Sequence, residues 1–354
     1  IVEYVEPNYI YYAASRDLSV MGSAFPDDEF FVQQWGLHNV DSDADIDAPE
    51  AWELTQGSRD VLVDIIDTGV DYTHPDLAEN IFTNPGESGT YFDKDGALHY
   101  KATDGIDNDL NGYVDDLHGY DFANKDGDPI DDHDHGTFVA GIIGAVGDNQ
   151  IGVSGINWKV SLLPVKFLSS NGSGTLADAI LAIQYATLMG AKILNNSWGG
   201  GGFSDALLEA IEATRDAGAL FVAAAGNEGS DIDSKPIFPA GYGVENELVV
   251  TSTNNLDVLN PFANFGSTVD VAAPSNAIST AVSGRYINMT GTSVSTAFGS
   301  GVAALLAARE PNFTGIELKR RLRETVDKLP TLEGKIGTGG RINAFRALTN
   351  ESNP

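Results

Sequence analysis

The sequence predicts an α/β fold of three layers, a mostly parallel twisted sheet with helices on both faces. Two observations carry that prediction. Five apolar runs, at 61–66, 161–165, 193–197, 219–225 and 248–251, lack the polar alternation of a strand with one wet face. Between them lie helix-length stretches at 137–145, 176–189, 204–217 and 293–309. Buried strands alternating with helices call for a parallel sheet covered on both sides. Taken in order, the first run closes on Asp67-Thr68-Gly69, and the first helix follows Asp134-His135-Gly136. The run at 193–197 continues into Trp198-Gly199, the run at 219–225 into Gly226-Asn227, and the last helix opens after Gly291-Thr292. Ligands of such sheets bind beyond the carboxyl ends of the strands, so these junctions are the places to look for chemistry.

Composition narrows the function. The 354 residues include 51 acidic and 20 basic side chains, a net charge of −31, and no cysteine. Nucleic-acid binding is disfavoured, because phosphate recognition needs clustered Lys and Arg. Thiolate metal sites, disulfides and cysteine nucleophiles are absent. No apolar run is long enough to span a bilayer. The length suits a single large domain, read here as residues 28–354, preceded by an irregular aromatic arm at 1–27. A monomer is expected. Near the C-terminus, Lys319, Arg320, Arg321 and Arg323 interleave with Ile316, Leu318, Leu322 and Val326, as on the solvated face of a terminal helix.

Only six histidines are present, and a general base for neutral pH is sought among them. His135 precedes an apolar helix, and Gly136 permits close backbone approach. Asp67 closes a central strand. Ser293 starts a helix, where free N–H groups and the positive dipole end favour a developing oxyanion. Singly, each is ordinary: Asp after a strand is often a cap, and Gly-Thr-Ser is a common turn. Together they fall in the order Asp, His, Ser, one of the chain orders of a catalytic triad.

Asp67-Thr68-Gly69-Val70-Asp71 with His74-Pro75-Asp76-Leu77 resembles the aspartate motif of the subtilisin-like serine proteases, the subtilases. His135-Gly136-Thr137-Phe138-Val139-Ala140-Gly141 resembles their histidine motif and Gly291-Thr292-Ser293 their serine motif. The resemblance runs from about Gln33 to Leu348. It implies a subtilisin-like fold and a secreted serine endopeptidase acting on extended polypeptides, with Asp67, His135 and Ser293 as triad and Asn227 in the oxyanion hole. The alternative for Asn227 is a plain turn residue between Gly226 and Glu228. By the same resemblance the cleft edges are Gly172-Ser173-Gly174 and Ser197-Trp198-Gly199, and Ile237 stands where many relatives carry a smaller residue. Ile237 is expected to narrow the first specificity pocket and favour small or medium side chains. Val294 replaces the methionine usual after the nucleophile. Val2-Glu3-Tyr4-Val5-Glu6-Pro7-Asn8-Tyr9 resembles the end of a propeptide, which makes the protein's own propeptide a candidate intramolecular inhibitor.

Thirteen Asp and three Lys fall between Tyr91 and His135. Unneutralised, such a stretch repels itself, and calcium is the expected cofactor. Asp107, Asp109, Asn111 and Asp115 alternate as in the first half of an EF-hand loop, with Gly112 at the sixth position. Asp121, Asp126 and Asp128 are further candidate ligands. A separate calcium site is implied by the resemblance alone: Asp76 and Asn149 side chains with the carbonyls of Gly147, Ile151 and Val153. Alternatives stay open: a transition-metal cluster at 131–135, a pseudo-protease or peptide-binding module with a misaligned triad, and a calcium-dependent structural domain.

Overall fold

The computed structural model describes residues 24–352. Its strands are β1 (Gly57–Asp67), β2 (Thr90–Phe92), β3 (Leu98–Tyr100), β4 (Tyr120–Asp121), β5 (Lys159–Lys166), β6 (Ile193–Asn196), β7 (Leu220–Ala224), β8 (Glu247–Thr253), β9 (Val271–Pro274), β10 (Ala277–Ala281), β11 (Arg285–Met289), β12 (Asp327–Lys328) and β13 (Gly340–Arg341). The helices are α1 (Ala48–Trp52), α2 (His135–Gly144), α3 (Leu176–Leu188), α4 (Asp205–Asp216), α5 (Thr292–Arg309), α6 (Gly315–Glu324) and α7 (Ala344–Thr349). Nine strands form one sheet in the order β12-β13-β9-β8-β7-β6-β1-β5-β4. All its pairings are parallel except β12 with β13.

Successive side chains of a strand point to opposite faces, and β1 shows how the layers follow from that. Val63 and Ile65 enter a core shared with Phe138 and Ile142 of α2 and Phe298 and Leu305 of α5. Ile66 enters the other, with Ala182 and Ile183 of α3 and Ile211 of α4. The sheet is thus covered on both faces, and its strands need no polar alternation. α5 lies close against the sheet because it carries glycine where bulk would collide: a Cβ on Gly299 would stand 2.9 Å from Val250. β1 begins at Gly57, earlier than its apolar run, because Gly57 already pairs with Lys159 of β5.

The C-terminal basic face does more than meet solvent. Lys319 and Arg323 of α6 both pair with buried Asp270, at 3.2 and 2.6 Å. Arg321 donates to the Ala347 carbonyl of α7. At the other end, the arm read over 1–27, with its propeptide-like stretch, lies outside the described residues except for 24–27. Asp27 is already attached to the fold, accepting from the Gln150 N–H at 3.1 Å.

Candidate active site

β1 ends at Asp67, and α2 begins at His135 directly above it. Their approach depends on Gly136, since a Cβ there would lie 2.0 Å from the Gly69 carbonyl oxygen. His135 Nδ1 meets Asp67 Oδ1 at 2.7 Å. Asp67 is wholly buried, and the imidazole keeps 23% of its side-chain surface exposed. Burial alone would lower the His135 pKa, but the Asp67 charge and hydrogen bond, with Asp131 further off, outweigh it and raise it. Thr68 Oγ1 donates to Asp131 Oδ1 at 2.9 Å and accepts the Gly136 N–H, while Asp131 Oδ2 accepts from the Thr137 N–H and hydroxyl. Asp131 therefore fastens the aspartate turn to the start of the histidine helix. Buried Lys166 adds a second clamp, donating to the Thr68 and Leu168 carbonyls and to Asp132, each at 2.7 Å.

Ser293 is the second residue of α5, so its N–H has no helical carbonyl four residues back, and the N-cap residue Gly291 has no side chain to offer it. Its Oγ donates to the Ser197 carbonyl at 2.9 Å, and Ser197 Oγ returns a bond to the Ser293 carbonyl at 3.0 Å. Among the described residues no hydrogen bond joins Ser293 Oγ to His135. Asn227 is held by one end of its amide: Oδ1 accepts the Thr292 N–H at 2.9 Å and hydroxyl at 3.1 Å. The Nδ2 group lies 3.7 Å from the Cβ position of Gly291, two residues before Ser293.

A cleft of about 520 Å³ runs from His135 between two edges, Gly172, Ser173 and Gly174 on one side and Ser197, Trp198 and Gly199 on the other. Its far wall is apolar, built by Phe167, Leu176 and Ala179, which the sequence did not single out. His133 also lines it. Ile237 is not among the residues lining this cleft; its Cδ1 lies 3.6 Å from the Cβ position of Gly199 and 3.1 Å from that of Gly226. A β-branched side chain thus stands between the two glycine-lined strand ends.

The predicted metal ligands sort into three groups. Asp76 is fully buried and accepts from Asn149 Nδ2 at 2.9 Å, the Val153 N–H at 3.0 Å and the Tyr286 hydroxyl at 3.1 Å. Asp28 joins it, a residue sequence reasoning missed. Its Oδ2 accepts the Asp148 N–H at 2.7 Å, and its buried Oδ1 has no partner. Burial pushes both acids up to about 6, and their mutual repulsion adds to the rise in Asp76. Two buried acids, one with an orphaned oxygen, on the loop of Gly147, Asn149, Ile151 and Val153 fit a hard cation with oxygen ligands.

The second group closes on itself. Asp121 and Asp126 exchange backbone hydrogen bonds, and Asn124 caps Asp121. Asp128 Oδ1 takes the Tyr72 hydroxyl at 2.8 Å. In the third, the alternating acids do not share one pocket. Asp107 accepts the Asn111 and Gly112 N–H groups, and Asp115 accepts that of Gly105. Asp109 turns instead toward Glu87 and Asp116. The stretch at 131–135 is not a metal cluster among the described residues: Asp131 is bound by threonines, Asp132 by Lys166 and Asp134 by Arg285.

The order Asp, His, Ser on a sheet of this kind separates the molecule from α/β-hydrolases, in which histidine comes last. What the fold and the site define is a serine hydrolase carried on a doubly covered parallel sheet. The model of the subtilase family matches residues 58–339, and the chain belongs to that family. It is 36% identical over 356 residues to a thermophilic serine proteinase of Bacillus sp. (strain AK1), covering 99% of this chain and 73% of the relative. It is 33% identical over 325 residues to thermitase of Thermoactinomyces vulgaris, covering 91% and 99%. Among solved structures, a protease from Pseudoalteromonas arctica superposes with a TM-score of 0.69 at 27% identity, covering 92% of this chain and 99% of that one. The protein is a subtilisin-like serine endopeptidase.

Proposed function

We propose that Ser293 is the nucleophile, His135 its general base and Asp67 the group that fixes the imidazole tautomer. The observation that carries this reading is the 2.7 Å bond between His135 Nδ1 and Asp67, which leaves Nε2 facing the cleft to receive a proton. An extended peptide adds as a strand to the Gly172–Gly174 and Ser197–Gly199 edges. A substrate N–H that bonds the Ser197 carbonyl displaces the Ser293 hydroxyl, which gives up one neutral hydrogen bond worth about 1 kcal/mol and turns toward His135.

Ser293 Oγ then attacks the peptide carbonyl carbon as His135 takes its proton. The oxyanion is held by the Ser293 N–H and Asn227 Nδ2. Collapse breaks the C–N bond, His135 protonates the leaving amine, and an acyl-enzyme ester remains. Water, deprotonated by His135, releases the acid and restores the serine. Ile237 selects small or medium residues before the scissile bond.

Asp28 and Asp76, with the loop at 147–153, hold calcium, whose role is to neutralise buried acids and tie residue 28 to that loop. Dependence on a cation plentiful outside cells, together with the lack of cysteine, favours a secreted enzyme, and the propeptide-like stretch at 2–9 favours synthesis as a zymogen.

A fluorophosphonate probe followed by peptide mapping tests the triad. Label is expected on Ser293 and absent from Ser293→Ala; equal labelling of the two would overturn the assignment. Asn227→Ala should lower kcat by about 100- to 1,000-fold with little change in KM. A peptide library should show Ala, Val or Leu ahead of Phe and Tyr before the cleaved bond, and Ile237→Gly should reverse that order.

A further inference from the structure

Asn195 of β6 and Ser300 of α5 are polar residues set inside an apolar layer, and neither has any exposed surface. Side chains two apart on a strand share a face, so Asn195 points as Ile193 does, into the core that holds Phe298 and Val302 of α5. The Ser300 hydroxyl donates to Asn195 Oδ1 at 2.8 Å, across 105 residues. Asn195 Nδ2 donates to Ser197 Oγ at 3.0 Å, and Ser197 Oγ donates to the Ser293 carbonyl at 3.0 Å. Ser197 is also buried. These bonds all run one way, from the middle of α5 through β6 and back to the backbone of Ser293. The hydroxyls of Ser295 and Thr296, on the same helix, go to backbone carbonyls instead.

Replacing a buried hydrogen-bonded pair by apolar groups of the same shape is close to neutral, so stability alone gives no reason for an amide and a hydroxyl here. Direction gives one. A hydroxyl carries a single proton. Because Ser197 Oγ accepts from Asn195, its proton is committed to the Ser293 carbonyl. Because Ser300 donates to Oδ1, the Asn195 amide is held with its N–H side toward Ser197. A substrate N–H that takes the Ser197 carbonyl frees the Ser293 hydroxyl, and the reciprocal bond at 2.9 Å is lost. What still ties Ser293 to Ser197 is then the bond from Ser197 Oγ to the Ser293 carbonyl. The relay therefore matters most in the substrate complex, when Ser293 Oγ must lie in line with both the peptide carbon and His135.

We propose that Asn195 and Ser300 are positioning residues, which fix the Ser293 backbone against the Ser197 end of β6 while its hydroxyl turns from one partner to the other. The assignment rests on Ser293 as the nucleophile and goes beyond it, since neither residue lines the substrate cleft.

The test is steady-state kinetics on a peptide substrate, with kcat taken per site titrated by a fluorophosphonate so that unfolded protein is not counted. Ser300→Ala, a mild change inside a helix, and Asn195→Leu should each lower kcat about tenfold and leave KM within about twofold, because a misplaced nucleophile is felt in the transition state. The double variant should lose no more than Asn195→Leu alone, as members of one relay do. A kcat within about twofold of the parent in both single variants would overturn the proposal, as would additive losses in the double variant or a loss confined to KM. Failure of the nucleophile assignment looks different, since Ser293→Ala would then still take the label.

Discussion

At the scale of single residues, two buried acids have opposite fates. Asp67 is hydrogen-bonded to the imidazole it holds, and its charge raises the His135 pKa. A general base acts only when deprotonated, so kcat/KM should rise with pH through an inflection above the ordinary imidazole value of about 6.5. A pH–rate profile checks this; an inflection at or below 6.5 contradicts the coupling to Asp67. Asp64, three residues earlier on β1, has no surface exposure, and neither of its carboxylate oxygens has a partner. Burial drives its pKa well above the usual carboxylate range. The folded state therefore holds a proton that the unfolded chain releases near pH 4, and stability drains away as pH rises from there. Asp64→Ala removes the loss, and should raise stability at pH 8 by about 1–3 kcal/mol while changing it less at pH 4. Thermal melts at the two pH values measure the difference.

Elements meet at this site through clamps that cross the sequence. The ends of β1 and β5, the loop before α2 and the start of α2 converge on Thr68, Asp131 and Lys166. Lys166 is 1% exposed yet satisfies its ammonium with three acceptors, whereas its partner Asp132 stays 45% exposed. Lys166→Met would strand two carbonyls but no buried charge, and should cost about 2–4 kcal/mol in denaturant melts. Loss of less than 1 kcal/mol would mean the clamp is slack. That clamp could not be seen in the sequence, because Lys166 lies 98 residues from Thr68. Strands β1, β5, β6, β7 and β8 and helices α2, α3, α4 and α5 could be seen, since apolar runs and their glycine-bounded ends are local signals, whereas β2, β3, β9, β10, β11, α1 and α7 were not read from the sequence. The two-residue strands β4, β12 and β13 could not, because they exist only by pairing with β5, β9 and each other.

For the whole molecule, charge balance governs stability. With 51 acids against 20 bases, some buried carboxylates, among them Asp28, Asp64 and Asp76, have no ion-pair partner among the described residues. Asp28 and Asp76 hold protons up to about pH 6 when folded but release them near 3.8 when unfolded. Without a bound cation, rising pH between those values destabilises the fold. The chelated protein should therefore show a melting temperature that falls from pH 4 to 7, and the gain on adding calcium should grow over the same window. At a hundredfold excess over its dissociation constant a single site adds about 2.7 kcal/mol. Equal melting curves with and without chelator at pH 7.5 would remove the cation from the account.

By itself the sequence determined the order and type of the main elements, and it put Asp67, His135 and Ser293 at their ends, because periodicity and helix-start chemistry act over neighbouring residues. Tertiary structure alone decided which acids become partners. Asp28 reaches Asp148 across 120 residues, and Glu87 and Asp109 draw together with Asp116 rather than with the alternating acids beside it. Burial and orphaned oxygens are properties of folded neighbourhoods, and no spacing along the chain encodes them.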